Sequence, residues 1–342
     1  MPAQDLTLTI DAGQPVAKVS PLHFGLMTEE INHSYDGGLY AELVRNRAFL
    51  DNAKTPEYWS VVQGNSSEAT ISLDQNQPLN SVLTASLRLD VASASSTAPA
   101  GISNSGYWGI PVKSETRFRA SFYARAAREF IGPVTLTIQS TDGAVVFASA
   151  TVPHLTTDWK QYTVTLKTGK VAPTVNARFA LTVDRPGTVW FSLVSLFPPT
   201  WKNQPNGFRL DLMQMLVDLK PAFLRFPGGN YVEGNTIATR FDWKKTIGPL
   251  TERPGHPSPW GYRSTDGMGL LEFLLWCEDM GAEPVLAVYA GYSLRGEHVN
   301  AGSELEPYIQ DALDEIEYVA GSEITQWGAK RVKDGHPAPF KL

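Results

Sequence analysis

Phe223-Leu224-Arg225-Phe226-Pro227-Gly228-Gly229-Asn230 is the stretch whose reading decides the fold. Ala222 to Phe226 is a short apolar run, the pattern of a strand buried on both faces, with one charge, Arg225, inside it. Pro-Gly-Gly-Asn ends the run sharply, and its glycines allow close backbone approach. Upstream, Phe208, Leu212, Met215, Leu216 and Leu219 recur at helical spacing until Pro221 stops them. Helix, buried strand and glycine-rich loop make a unit of a βα-barrel or a doubly wound sheet. In such folds the loop after the strand faces the ligand. An arginine cannot shed its charge, so a buried Arg225 calls for a carboxylate partner.

Working outward, the N-terminal side predicts a strand at Leu6-Thr7-Leu8-Thr9-Ile10 and a second at 21–27, which runs into Thr28-Glu29-Glu30-Ile31-Asn32. A helix is expected next, with Leu39, Tyr40, Leu43, Val44 and Phe49 on its apolar side. From about 52 to 199 no helical pattern is found. Alternating strands recur instead: Phe118-Ala120-Phe122-Ala124, Val134-Leu136-Ile138, Tyr162-Val164-Leu166, Val175 to Val183, and Trp190-Ser192-Val194-Leu196. That spacing indicates an antiparallel β-sandwich inserted after the first βα unit. Downstream, helices are predicted at 208–219, 267–280 and 305–320 and a strand at 284–288. Asp266 is positioned to cap the second of these helices.

The domain reading is therefore residues 1–20 as an N-terminal strand, 21–52 as a first βα unit, 53–199 as the inserted sandwich, and 200–342 as continued barrel. Three barrel strands cannot close a barrel of eight. The chain is accordingly expected to be part of a longer or two-chain protein, and unstable or inactive alone because an open sheet edge exposes apolar surface and unpaired backbone.

The bulk numbers fit a soluble globular chain: 342 residues, 42% apolar, 19% charged. A net charge of −6 with no basic run argues against nucleic acid, and no stretch has the length of a membrane span. Cys277, the sole cysteine, lies in an apolar helix pattern and reads as a core thiol. His23, His33, His256 and His298 lack metal-ligand spacing, so neither a metal nor a cofactor is expected. Asn65-Ser66-Ser67 and Asn32-His33-Ser34 match the glycosylation sequon, Asn65 being the better candidate. Nine tryptophans suggest sugar stacking or a well-filled core.

Three motifs occur in order: Gly25-Leu26-Met27-Thr28-Glu29-Glu30-Ile31, Leu224 to Asn230, and Gly261-Tyr262-Arg263-Ser264-Thr265-Asp266-Gly267-Met268-Gly269. Together they resemble the family 51 glycoside hydrolases, the α-L-arabinofuranosidases, and most nearly the fungal type with a carbohydrate-binding-module-like sandwich between the first two barrel strands. The resemblance implies a (β/α)8 barrel, a C-terminal β-sandwich that the N-terminal strand would join, and a retaining mechanism with two glutamates. Both glutamates would lie beyond Leu342, so this chain is read as the N-terminal portion, with the remainder as its partner.

By the same resemblance Glu29 accepts sugar hydroxyls, Gly229 and Asn230 meet the sugar, and Arg225 supports the nucleophile by lowering its pKa. Glu30 is expected to pair with a cation. Trp243, Tyr292, Trp260 and Arg263 are candidate rim residues, though packing or a solvated ion pair explains each equally well. The implied activity is exo-acting release of terminal arabinofuranosyl groups from arabinoxylan or arabinan by a secreted enzyme whose signal peptide is absent from this chain. Two alternatives stand beside it: a non-catalytic carbohydrate-binding protein acting through 53–199, and an endo-glucanase or xylosidase of the same family. Tyr107, Trp108 and Trp159 could serve such binding; the reading favours core positions for them.

Overall fold

The computed structural model describes residues 6–341. Its elements are mostly strands with a few helices, and no closed barrel is present among the described residues. A three-stranded parallel sheet has the order β1 (Leu26–Met27), β12 (Phe223–Phe226), β15 (Glu283–Leu286). Ten further strands intervene: β2 (Trp59–Val62), β3 (Glu68–Asp74), β4 (Ser86–Ser93), β5 (Ala100–Asn104), β6 (Arg117–Ala126), β7 (Val134–Ser140), β8 (Val146–Val152), β9 (Lys160–Lys167), β10 (Ala177–Val183) and β11 (Gly187–Phe197). They form two antiparallel five-stranded sheets, β2-β5-β10-β7-β8 and β3-β4-β11-β6-β9. Alternate side chains of both sheets, Phe118, Phe122, Phe179 and Phe191 among them, fill one apolar core. The alternation through Trp190, Ser192, Val194 and Leu196 is broken by a bulge between Ser192 and Ser195, where Leu193 takes φ 44°. Val189 and Phe191 are buried before the bulge, Val194 and Leu196 after it, so one extra residue changes the phase.

A short hairpin, β13 (His256–Pro257) and β14 (Arg263–Ser264), lies between β12 and β15. The helices are α1 (Leu210–Asp218), α2 (Asn230–Glu233), α3 (Leu270–Met280), α4 (Glu306–Ala320) and α5 (Gln326–Lys333). Helix α3 packs its buried Phe273, Leu274 and Cys277 into a second core with Leu224, Phe226 and Tyr231. Burial pushes the Cys277 thiol up to about 12, so it stays protonated.

Several expectations are corrected. Residues 6–10 form no strand and are exposed; nothing in the described chain pairs with them, and residues 1–5 lie outside the described part. The strand expected over 21–27 is only Leu26–Met27, and Leu22 and Phe24 are exposed. The helix expected over 39–49 is absent. Asn46 and Phe49 hold φ of 52° and 60°, which a helix forbids. This segment is a strap along β11: the Leu43 N–H donates to the Leu196 carbonyl at 3.0 Å and the Val194 N–H to the Arg47 carbonyl at 3.0 Å. Its apolar residues serve two cores, Val44 and Phe49 in one and Leu39 and Tyr40 in the other. A buried ion pair, Arg47 to Glu42 at 3.4 Å, holds the strap, and Glu42 also accepts from the Leu196 N–H at 2.9 Å. Asp266 caps nothing, since α3 starts at Leu270 with Gly269 at its N-cap; helix α5 was not foreseen.

Candidate functional site

In parallel sheets the ligand lies at the carboxyl ends of the strands. Here β1 leads into Glu29 and Glu30, β12 into Gly228, Gly229 and Asn230, and β15 into Tyr289 and Tyr292. The first two loops are in contact. Gly228 takes φ 128°, and a Cβ there would lie 2.6 Å from the Glu29 Cβ, so glycine is required both by conformation and by space. Beyond it, the Tyr231 N–H donates to Glu29 Oε1 at 2.7 Å. Glu29 Oε2 has no hydrogen bond from the described residues and stands 3.8 Å from where a Gly229 Cβ would be. One carboxylate oxygen is thus fixed and the other is left as an acceptor beside Gly229 and the exposed Asn230.

The third loop is tied to the second. The Leu294 and Arg295 N–H groups donate to the carbonyls of Gly234 and Asn235 at 3.0 and 3.1 Å, and Glu297 Oε2 accepts from the Ile237 N–H at 2.7 Å. Tyr292 is half exposed on this loop. Trp243, by contrast, is a core residue: it is 2% exposed, packs on Trp327 at 4.9 Å between ring centres, and its Nε1 donates to the Asp311 carbonyl. Arg263 is occupied in bonding the Pro254 and Gly255 carbonyls, and Trp260 is partly buried with its Nε1 lacking a partner among the described residues.

Arg225 is exposed rather than buried. It lies in register with Met27 and Val285 on the face of the parallel sheet that the described residues leave open; those two are 51% and 42% exposed. The opposite face, through Leu224 and Phe226, is covered by α3.

Glu30 meets no cation. It is wholly buried and accepts from the Tyr35 and Asp36 N–H groups at 2.7 and 3.3 Å, and Tyr262 Oη lies 2.7 Å from its Oε1. Burial, then the neighbouring Asp36 carboxylate, pushes it up to about 8. It is a neutral acid at pH 7 that locks the 29–36 turn under Tyr262. Sequence reading also missed Tyr231, whose hydroxyl donates to Ser264 Oγ at 2.8 Å, and the pair His256 Nδ1 to Asp266 Oδ2 at 2.9 Å. A buried aromatic after Gly-Gly-Asn was the available signal for Tyr231; the His–Asp pairing follows only from the hairpin. No group of three metal-ligating side chains is found among the described residues.

A carboxylate with one free oxygen, a glycine-lined backbone and an exposed Asn thus meet at the carboxyl end of a parallel sheet, a set of groups able to bond hydroxyls. Comparisons narrow the class. Residues 215–342 match the family model described as Alpha-L-arabinofuranosidase 1 domain. The chain is 40% identical over 331 residues to a probable alpha-L-arabinofuranosidase A of Aspergillus terreus, covering 94% of this chain and 51% of that protein. It is 36% identical over 356 residues to alpha-L-arabinofuranosidase 1 of Arabidopsis thaliana, covering 100% of this chain and 51% of that one. The arabinose-bound structure of the MgGH51 α-L-arabinofuranosidase superposes with a TM-score of 0.89 at 41% identity, over 96% of this chain and 54% of that chain. The chain is therefore a homologue of the family 51 α-L-arabinofuranosidases, as its three motifs suggested, and it spans about half the length of the relatives it matches.

Proposed function

We propose that this chain is the N-terminal portion of a retaining, exo-acting α-L-arabinofuranosidase that releases terminal arabinofuranosyl groups from arabinoxylan or arabinan. The observation that carries the proposal is Glu29, with one oxygen bound to the Tyr231 N–H and the other free beside Gly229 and Asn230. A carboxylate accepts two hydroxyl protons at once, which fits a furanose ring. Retaining hydrolysis needs two carboxyl groups about 5–5.5 Å apart, one attacking the anomeric carbon and one protonating the leaving oxygen. Both belong to polypeptide that covers the open face of the parallel sheet. Arg225, on that face, then lies against the nucleophile and keeps it ionised.

On this reading the three parallel strands are the first three of a (β/α)8 barrel, and residues 53–199 are an insertion of carbohydrate-binding-module type. The protein is secreted, and Asn65, which is exposed, carries glycan. Half-coverage of the relatives and the exposed Met27, Val285 and Val288 support a completing segment.

The test is hydrolysis of an aryl α-L-arabinofuranoside by protein expressed from its complete reading frame, with the anomeric configuration of the first product read by NMR. Glu29→Gln keeps the shape and removes the charge. It should lower kcat/KM roughly 10–100-fold, the worth of a charged hydrogen bond, with Tm little changed. An unaltered rate would overturn the role given to Glu29.

A further inference from the structure

Of the nine tryptophans only Trp108 is exposed, at 64%. It sits on the turn between β5 and β6, so it belongs to the double sheet and not to the parallel one. It is nonetheless held firmly. Its Nε1 donates to the Gly37 carbonyl at 2.8 Å, and its ring meets the His33 edge at 5.7 Å. Tyr107 beside it packs beneath Gly37, which takes φ 85° and whose Cβ, were there one, would lie 2.5 Å from the tyrosine ring. These contacts fix the Trp108 ring through its N–H and one side, and most of the side chain stays open to solvent.

Trp108 is linked to the candidate site. His33 stacks on Tyr262, with centroids 4.0 Å apart, and Tyr262 bonds Glu30, the neighbour of Glu29. Beside Trp108 opens a cleft of about 560 Å³, lined by Pro111, Lys113, Pro198, Arg209 and Asp211. The cleft is tied to the turn that carries Glu29: the Arg209 N–H, at the start of α1, donates to the Leu39 carbonyl at 2.9 Å, and the Leu39 N–H donates to the Ser34 carbonyl at 2.9 Å. The cleft is largely apolar, with the Arg209–Asp211 pair, 2.6 Å apart, and Lys113 as its polar edge. Sugar C–H groups pack on the electron-rich face of an aromatic ring while hydroxyls reach the polar edge. The volume falls in the usual range for ligand clefts.

We propose that Trp108 and this cleft bind the neutral polysaccharide main chain whose side group enters the Glu29 pocket. The inserted double sheet thereby contributes to substrate choice. This deepens the glycosidase reading above and rests on it. Trp108→Ala, in protein from the complete reading frame, should raise KM for soluble arabinoxylan about tenfold, as expected for loss of an aromatic anchor. Its kcat, and both constants for an aryl α-L-arabinofuranoside, should stay unchanged. Trp108→Phe should recover most of the loss, and Trp159→Ala should behave as wild type. Unchanged polymer kinetics, or an equal fall on polymer and aryl substrate, would overturn the inference. Should the wild type cleave no arabinofuranoside, the glycosidase reading fails separately. Migration in native gels containing arabinoxylan then decides: wild type retarded and Trp108→Ala not retarded supports the cleft, and equal mobility refutes it.

Discussion

The double sheet and the parallel sheet differ in how much of themselves they bury. In the double sheet the inner faces of both layers are closed on each other, and Phe118, Phe122, Phe179 and Phe191 are inaccessible. In the parallel sheet one face is packed on α3, while the other shows Met27, Arg225 and Val285 to solvent. The same is true of the nearby helices: Leu210, Met215 and Leu219 in or beside α1 and Ile309, Leu313 and Ile316 on α4 are all more than 40% exposed. Exposed apolar rows on consecutive elements mark an interaction surface, whereas scattered ones are ordinary. The double sheet closes its core with only Val44 and Phe49 of the strap added from outside; the parallel sheet carries the candidate site and leaves one face open among the described residues.

The largest effect separating the two regions should come from the closed core. Phe122 stacks near Tyr162 and Phe191, with centroids 5.5 and 6.0 Å away. Phe122→Ala should cost about 3–5 kcal/mol, since a well-packed sandwich collapses poorly around a cavity. Urea unfolding followed by amide exchange in β6 and β11 measures it; a loss under 1 kcal/mol would mean that this core is not closed.

A smaller effect should come from Glu30. Folded, it keeps its proton to about pH 8, whereas an unfolded glutamate releases it near 4.5. The unfolded chain therefore binds fewer protons across that window, and stability falls as pH rises through it. Glu30→Gln should flatten this slope by an amount on the order of a few kcal/mol. Parallel pH–stability curves for the two proteins would contradict the buried neutral acid.

The smallest effect sharpens the contrast most. In the 342-residue chain Leu313 is 53% exposed, so Leu313→Ala should change its stability by no more than about 0.5 kcal/mol. In protein from the complete reading frame the same change should cost about 2 kcal/mol or more, as for a buried leucine. Equal small losses in both would leave α4 on the surface and weaken the case for a completing segment.

What could be read from sequence follows the same division. Strands β6, β7, β9 and β10 and helices α1, α3 and α4 were legible because a repeating apolar face is a local property. The 39–49 segment was not. Its apolar spacing suits a helix, but Val44 and Phe49 go to one core and Leu39 and Tyr40 to the other, a division set by tertiary contact. Arg225 reads as buried because its neighbours are apolar, yet its exposure depends on what covers its face of the sheet. In the candidate site, motif and loop position single out Glu29, Gly229 and Asn230, and the structure brings them side by side. Tyr231, which orients Glu29, and the acid partnership of Glu30 with Tyr262 needed coordinates, because 232 residues separate the last two along the chain. Trp243 failed as a rim residue for a related reason: α4 and α5, distant in sequence, bury it.

The central claim is that the open face of the parallel sheet is interior in the active protein. Hydroxyl-radical labelling of an arabinofuranosidase-active preparation tests it directly, with Ile131 of the double sheet, 71% exposed, as the internal standard. Met27 and Val285 should be protected there and label readily in the 342-residue chain alone. Labelling of Met27 and Val285 in the active preparation at the level of the isolated chain would contradict it.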